Sequence, residues 1–337
     1  MRIDANRRNA SLLAAGAAVL GLLLFLAARG HLDHWRTDPP ESLSVGAFSG
    51  DVGALTWIAK EHGFFDRVGL DVEVHGYASG KDSVDALRAR QVDLATASEF
   101  VVADRSFAEP DLRILASVCQ YWNKGLIGRR DHGIAKPADL KGKRVGVTTT
   151  STAEHTLAVF LAMQGLVMKD IQAVNLAPRQ MVEQIGTGAI DAAMTWQPHV
   201  SVIERRLGDN AVSLLDHGSD AYLLVLTRQD ALPAKAEAFK RFLRALLLAE
   251  DWIRTDPGRA RKWLATRFSL DDAYVEKLWS KIRLEVSLPQ EILDIMDGEA
   301  RWLARAKGSS VQPDYSQFLY SAPLAAIKPP AVTLFSR

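Results

Sequence analysis

The sequence predicts an α/β protein of two similar lobes, each a mostly parallel sheet flanked by helices, preceded by an N-terminal hydrophobic helix. Three observations predict this architecture: a basic and then apolar N-terminus, a strand-helix-strand-helix-strand pattern that occurs twice, and a helical C-terminal region. The chain has 337 residues, of which 48% are hydrophobic and 24% charged. This composition is typical of a globular protein, and the length suits two domains.

The N-terminal segment is predicted to direct the chain to a membrane. Arg7 and Arg8 precede an uncharged, largely apolar run over residues 9–28 that shows no polar face. Basic residues before such a run stay in the cytoplasm, so we expect the rest of the chain on the other side of the membrane. The run lies between the length of a signal-peptide core and that of a spanning helix, so residues 1–30 are either a cleaved signal peptide or a retained anchor. Residues 31–41 are predicted to form a polar linker.

The first copy of the repeated pattern begins with a strand over 43–48, where apolar residues alternate with small or polar ones. A helix follows and is predicted to end at Gly63. A second strand is predicted over 70–74, and Ser79-Gly80 caps the next helix. A third strand over 92–97 completes the unit.

The second copy follows the same order further along the chain. Arg144-Val-Gly-Val matches Ser44-Val-Gly-Ala, and residues 185–193 parallel residues 87–95 position for position. Two aspartates, Asp93 and Asp191, occupy matching places, where we expect them to shape turns. Two similar units of this kind predict two similar lobes.

The C-terminal region predicts how the chain divides between the lobes. An apolar strand begins at Tyr222, and helices are predicted near 235–255, 257–266, 271–283 and 289–306. We expect this region to pack on the first lobe. The predicted domains are therefore lobe 1 over 42–122 and 222–320 and lobe 2 over 123–221. The two crossings between them, near Cys119–Gly125 and near Tyr222, are expected to form a hinge.

Several motifs occur together in one order: Glu61-His-Gly-Phe-Phe, Gly69-Leu-Asp-Val-Glu, Ser79-Gly80, Val92-Asp-Leu-Ala, Asp139-Leu-Lys-Gly-Lys-Arg-Val-Gly-Val and Ile190-Asp-Ala-Ala-Met-Thr-Trp-Gln-Pro. In this order the chain resembles the periplasmic substrate-binding proteins of the importers for taurine, alkanesulfonates, nitrate and thiamine precursors. The resemblance implies a two-lobed type II periplasmic-binding-protein fold that closes on a small ligand, with an ATP-driven (ABC) transporter as partner. The family often has Glu or Asp where this chain has Gln197, so the identity of the ligand does not carry over.

The candidate ligand-binding residues lie in loops that follow the predicted strands, where ligands of such sheets bind. They are Phe48, Ser49, Gly50, Ser79, Gly80, Ser98, Glu99, Trp122, Thr150, Ser151, Thr152, Trp196 and Gln197. Hydroxyls and helix N–H groups can bind a sulfonate, nitrate or carboxylate without a fixed positive charge, and a heterocycle fits the same loops. Trp196 and Trp122 can stack on the ligand, and Glu99 can hold an amine. The alternatives are that the hydroxyls only cap helices, that Trp196 belongs to the core, and that Glu99 is a solvated residue at a helix start.

No catalytic residue, metal site or cofactor is expected. The chain lacks the Gly-x-Ser-x-Gly, His-Glu-x-x-His and Gly-x-x-x-x-Gly-Lys-Ser/Thr motifs. Cys119 is the single cysteine, which excludes an intramolecular disulfide and a multi-cysteine metal site. It follows an apolar strand, so we expect a buried, inert thiol. The body beyond Gly30 is close to neutral, which gives no electrostatic case for nucleic acid.

The sequence thus predicts a monomeric solute-binding protein of the periplasm. It is either anchored to the inner membrane by the N-terminal helix or released after cleavage. It captures a small molecule between two lobes and delivers it to the permease and ATPase of an importer. A membrane-anchored sensing module that reports to a receptor is the main alternative. An enzyme that makes a thiamine pyrimidine is a third, although such relatives carry a cysteine-rich stretch that this chain lacks.

Overall fold

The structure is a computed structural model that describes residues 40–215, 220–310 and 313–335. The predicted N-terminal helix and nearly all of the predicted linker lie outside these ranges. The chain divides into a unit of Met1–Glu41 and a unit of Ser42–Arg337, and the account below concerns the second. Within the described ranges, no helix has both the length and the apolar character that crossing a membrane requires.

The strands alternate with helices through both predicted units. In chain order they are β1 (Glu41–Phe48), β2 (Leu70–Tyr77), β3 (Leu94–Ser98), β4 (Leu112–Tyr121), β5 (Lys124–Arg129), β6 (Arg144–Val147), β7 (Gln172–Asn175), β8 (Ala192–Trp196), β9 (Ala211–Leu215), β10 (Ala221–Arg228), β11 (Ile282–Arg283), β12 (Leu288–Pro289) and β13 (Val332–Thr333).

The helices include the four predicted in the C-terminal region. They are α1 (Ala54–Glu61), α2 (Phe64–Arg67), α3 (Gly80–Arg88), α4 (Glu99–Arg105), α5 (Thr152–Met163), α6 (Pro178–Thr187), α7 (His199–Leu207), α8 (Leu232–Thr255), α9 (Pro257–Phe268), α10 (Asp272–Trp279), α11 (Glu291–Lys307) and α12 (Ala322–Ile327). The predicted end of the first helix at Gly63 is confirmed, because α1 ends at Glu61 and Gly63 has a φ of 66°. A residue with a side chain rarely adopts this φ.

Two sheets form the centres of two lobes. The first lobe contains a six-stranded sheet of order β11-β4-β10-β3-β1-β2, and the second lobe a five-stranded sheet of order β7-β6-β8-β5-β9. β1 pairs in parallel with β3, with Val45 opposite Leu94. In the same way β6 pairs in parallel with β8, with Val145 opposite Ala192. The two units therefore have the same parallel pairing, as the repeated pattern predicts.

The prediction of mostly parallel sheets is wrong for the strands that cross between lobes. β10 runs antiparallel to both β3 and β4, and β5 runs antiparallel to both β8 and β9. The physical reason is that β5 and β10 reach their sheets directly from the other lobe, not through a helix that covers their own sheet. Both sheets are therefore mixed.

Matching aspartates fix the parallel pair in each lobe. Oδ2 of Asp93 accepts a hydrogen bond from the Ser44 backbone N–H at 3.0 Å, and Oδ2 of Asp191 accepts one from the Arg144 N–H at 2.8 Å. The backbone N–H of each aspartate donates in return to the carbonyl of the same partner, at 2.8 Å in both cases. Each aspartate therefore joins two strands that are distant in sequence, and the prediction that these aspartates shape turns stays a prediction.

The hydrophobic cores lie between the sheets and the helices that cover them. The C-terminal helices pack on the first lobe, where the Phe242 ring of α8 stacks on Phe65 with 5.3 Å between ring centroids. In the second lobe, neighbouring residues of one strand enter different cores. Met194 belongs to the cluster with α5, whereas Ala193 belongs to the cluster with α6 and α7. Because side chains alternate along a strand, this pattern shows that helices cover both faces of that sheet.

We expect Asp191→Asn to destabilise the second lobe in a pH-dependent way. Burial alone would raise the pKa of Asp191, but hydrogen bonds from Arg144 and contact with His132 outweigh it and hold the pKa well below its usual value. The stabilisation is therefore present above the unfolded-state pKa of about 4 and is lost as the pH falls below it. Urea unfolding at pH 7 should show a loss of about 1–3 kcal/mol, and a smaller loss at pH 3.

Asp131 supplies the control, because its exposed carboxylate pairs with Arg129 on the same surface. Asp131→Asn should leave the unfolding free energy nearly unchanged. An equal loss for Asp191→Asn at pH 7 and at pH 3 would contradict the assigned role of the carboxylate.

Candidate ligand-binding site

A cavity of about 160 Å³ lies between the two lobes. It is smaller than the roughly 300–1,000 Å³ of sites for drug-sized ligands, so it suits a small molecule. The first lobe contributes Phe48, Asp51, Val52, Ser79, Gly80, Lys81, Ser98, Val101, Tyr121 and Leu223, and the second contributes Thr148, Thr149, Thr150, Ser151, Thr152 and Trp196. Asn123, in the crossing between β4 and β5, completes the lining.

Two helix N-termini border this cavity, one from each lobe. Ser79 is the N-cap of α3, and its Oγ accepts from the Asp82 N–H at 3.2 Å. Ser151 is the N-cap of α5, and its Oγ accepts from the Glu154 N–H at 3.4 Å. Each hydroxyl therefore caps its helix, as the alternative interpretation predicts. The N–H groups in the first turn of a helix nevertheless have no intrahelical partners. The positive ends of two helix dipoles therefore border the cavity.

The loop before α5 is held in an unusual conformation. Thr150 has a φ of 54°, which is rare for a β-branched residue and costs about 1–3 kcal/mol. Its N–H donates to Oε2 of Glu154 at 2.7 Å, and the neighbouring Thr149 N–H donates to Oδ1 of Asn175 at 3.1 Å. These two bonds fix the loop so that its hydroxyl-bearing residues line the cavity.

The rest of the lining is mainly apolar. Trp196, at the end of β8, is half-buried and lies on the second-lobe side. Phe48 and Tyr121 lie on the first-lobe side, together with aliphatic side chains. The cavity thus combines hydrogen-bond donors with apolar and aromatic surface, which suits an anion that carries a short apolar body.

Eight of the sequence-predicted residues line this cavity: Phe48, Ser79, Gly80, Ser98, Thr150, Ser151, Thr152 and Trp196. Ser49, Gly50 and Trp122 lie outside the lining. Ser49 is exposed and Trp122 is half-buried. The backbone N–H of Trp122 donates to the carbonyl of Lys281 at 3.1 Å.

Gln197 also lies outside the lining and is buried. Its Oε1 accepts hydrogen bonds from the N–H of Ser201 at 3.2 Å and from the Ser201 Oγ at 2.8 Å. The amide therefore supports the first turn of α7. An acidic residue at this position would make the same contacts, so the sequence pattern alone does not separate a structural from a ligand-binding role.

Glu99 belongs to a buried group of charges behind the cavity, so the interpretation as a solvated residue is wrong. Its Oε2 accepts from the Tyr222 N–H at 2.7 Å. Burial raises the pKa of Glu99 to about 7 although Lys124 opposes the shift. Burial and the nearby Glu99 raise the pKa of Glu299 well above its usual value, and burial lowers that of Lys124.

His155 extends this buried group across the lobes. Its Nδ1 on α5 lies 3.9 Å from Oε1 of Glu299 on α11, and its ring packs on Trp302 and Phe100 of the first lobe. Burial lowers the pKa of His155 to about 4, so the ring is neutral at pH 7. The contact between His155 of α5 and the first lobe is therefore mainly one of packed rings.

Sequence reasoning missed nine lining residues: Asp51, Val52, Lys81, Val101, Tyr121, Asn123, Thr148, Thr149 and Leu223. Asp51 directly follows the predicted Ser49-Gly50 loop, and Asn123 directly follows the predicted Trp122. Extending each predicted segment by one residue would therefore have found both of them. Tyr121 and Leu223 enter the lining because of the antiparallel pairing of β4 with β10, which the sequence pattern did not predict.

We expect Glu99→Gln to flatten the pH dependence of stability. The native pKa of about 7 lies above the usual value of 4.5, so the unfolded chain releases this proton at lower pH. The wild-type unfolding free energy should therefore fall as the pH rises from about 4.5 to 7, and the variant should lose much of that fall. The Gln side chain can still accept from the Tyr222 N–H, which preserves the local hydrogen bond.

Urea unfolding between pH 5 and pH 8 measures this effect. Glu299→Gln, alone and combined with Glu99→Gln, separates the contributions of the two carboxyls that face Lys124. An unchanged slope in the double variant would show that these carboxyls do not govern the pH dependence.

The sequence and the fold of this chain are similar to those of known proteins. The profile of the NMT1/THI5 like family matches residues 54–260. The taurine-binding periplasmic protein of Escherichia coli (strain K12) is 23% identical over 197 residues, which are 58% of this chain and 61% of that protein. The crystal structure of the periplasmic aliphatic sulphonate binding protein from Escherichia coli superposes with a TM-score of 0.71 at 17% identity, covering 88% of this chain and 95% of that one.

The same fold also occurs in an enzyme. The crystal structure of the desulfurization enzyme DSZB superposes with a TM-score of 0.61 at 15% identity, covering 85% of this chain and 98% of that one. The fold alone therefore does not separate binding from catalysis. The predicted two-lobed periplasmic-binding-protein fold is confirmed, and because the family profile matches more than half of the sequence, the chain belongs to the NMT1/THI5-like family.

Proposed function

We propose that this protein is an extracytoplasmic solute-binding protein that binds a small sulfonate-like anion between its lobes and delivers it to an ABC importer. The observation that carries the proposal is the cavity of about 160 Å³ bordered by the N-termini of α3 and α5. Free N–H groups and hydroxyls at such termini bind oxyanions without a fixed cation. The similarity to a taurine-binding periplasmic protein supports the same ligand class.

The charges of the lining fit this proposal. Lys81 is the one basic side chain among the described lining residues, and its Nζ pairs with Asp85 at 3.0 Å on the exposed side of α3. Neutral donors and helix dipoles would therefore supply most of the attraction for the anion. The apolar lining and Trp196 would contact its carbon chain.

We further propose that the N-terminal 30 residues carry the chain into the periplasm, as a cleaved signal or as an inner-membrane anchor. The proposed lobes, 42–122 with 222–320 and 123–221, close about their crossings. In support, only Trp122 and Asn123 separate β4 of the first sheet from β5 of the second. A link of two residues can act as a hinge without disturbing either sheet.

Binding without catalysis is part of this proposal, although an enzyme shares the fold. Cys119 is fully buried in β4 and does not line the cavity. Burial raises the pKa of its thiol well above the usual value, and Asp51 raises it further. A neutral, inaccessible thiol is a poor nucleophile, so the single cysteine of the chain would not attack a bound ligand.

A thermal-shift screen of the full-length protein tests the proposed function. The panel contains taurine, alkanesulfonates, nitrate, bicarbonate, pyrimidines, flavins and amino acids. A true ligand at 100 times its Kd adds about 2.7 kcal/mol to the unfolding free energy and raises the melting temperature visibly. We expect the shift with small sulfonates. A shift with flavins alone would overturn the assignment to small anions, and no shift with any compound would overturn the binding role.

Trp196→Ala should weaken ligand binding by at least about 1 kcal/mol, because the ring lines the cavity and can pack on the ligand. Isothermal titration with the strongest ligand of the screen measures the loss. Trp252→Ala is the matched control, since this half-buried tryptophan of α8 lies outside the lining and outside both crossings between the lobes, and it should leave the Kd nearly unchanged. Equal losses in both variants would mean that Trp196 acts through the fold and not through ligand contact.

A further inference from the structure

Asn123 has an unusual position in the cavity. It lines the cavity at the crossing between the lobes and is only 5% exposed. Its Oδ1 is buried and has no hydrogen-bond partner. Leaving a buried polar atom unpaired costs about 1–3 kcal/mol, so this oxygen is suited to accept a hydrogen bond from a ligand.

Asp51 provides a second acceptor in the same lining and is 5% exposed. Its Oδ1 accepts from the Val52 N–H at 2.8 Å, and its Oδ2 accepts from the Tyr274 hydroxyl at 2.6 Å. A carboxylate offers about four acceptor positions, so both oxygens keep capacity for another donor. Burial raises the pKa of Asp51, while the hydrogen bonds from Tyr274 and Val52 oppose that shift.

The ionisable groups behind this wall include two buried carboxyls, Glu99 and Glu299, which face the buried lysine Lys124. Burial raises the pKa of Tyr121, which lines the cavity, and Glu99, Glu299 and Asp51 raise it further. The part of the lining near Asp51 and Asn123 thus offers acceptors, whereas the donors lie at the N-termini of α3 and α5.

We propose that Asp51 and Asn123 bind a protonated amine, so that the ligand is a small zwitterion and not a simple anion. This inference rests on the proposed binding function and specifies its ligand class. The anionic group would lie at the helix N-termini, and the ammonium group would donate to Oδ1 of Asn123 and to the Asp51 carboxylate. One ligand would then satisfy both the donors of the helix N-termini and the acceptors of Asp51 and Asn123.

Two ligand pairs that differ only in the amine test this inference on the full-length protein. Isothermal titration compares taurine with ethanesulfonate, and β-alanine with propanoate. Hydrogen bonds between charged groups are strong, so the amine-bearing member of a pair should bind about tenfold more tightly or better. In Asp51→Asn and in Asn123→Leu, the ratio of the two affinities within each pair should fall to about twofold or less.

Asp66→Asn is the control for net charge, because Asp66 is exposed and lies outside the lining. It should keep the full preference for the amine. The comparison within wild type requires no variant, so the inference stays testable even if a substitution impairs folding.

The outcomes separate the inference from the proposed function. If ethanesulfonate binds as tightly as taurine, the zwitterion inference fails and the sulfonate proposal stands. If β-alanine is preferred over propanoate while neither sulfonate binds, the inference stands and the sulfonate assignment fails. If none of the four compounds binds, both are overturned.

Discussion

The hydrogen bonds between Asp93 and β1, and between Asp191 and β6, fix the geometry on which the cavity depends. In each lobe one carboxylate joins the start of the third strand of a unit to the start of the first. The parallel register then determines where both strands end, and the binding loops follow those ends. Both lobes use the same contact, so their loops are placed alike and line one cavity.

Asp51 carries the one carboxyl and Lys81 the one ammonium group among the described lining residues of the cavity. Helix N-termini provide donors on both sides, while Glu99, Glu299 and Lys124 lie behind the lining. Because burial shifts the pKa values of Glu99, Glu299 and Lys124 toward their neutral forms, this buried group disfavours charge separation in the ligand-free protein.

Periodicity and turn signals were enough to predict the two units, the C-terminal helices and most hydroxyl-bearing loops of the site. They work because strands and helices have different apolar periods, and because Ser79 and Ser151 cap helices that begin at the cavity. The sequence did not predict Tyr121, Asn123 or Leu223 as lining residues, because the antiparallel pairing of the crossing strands depends on contacts distant in sequence. Glu99 was predicted to hold an amine of the ligand or to be solvated at a helix start, because its burial beside Tyr222 and Lys124 is a tertiary effect.

The buried position of Cys119 has a practical consequence. The chain has one cysteine, and its thiol is shielded inside the first sheet. A cysteine introduced at the exposed end of α5, for example at Met163, would therefore be the only thiol open to a maleimide dye. Fluorescence from such a label would follow the motion of the second lobe in the native protein, without the need to prepare a cysteine-free background first.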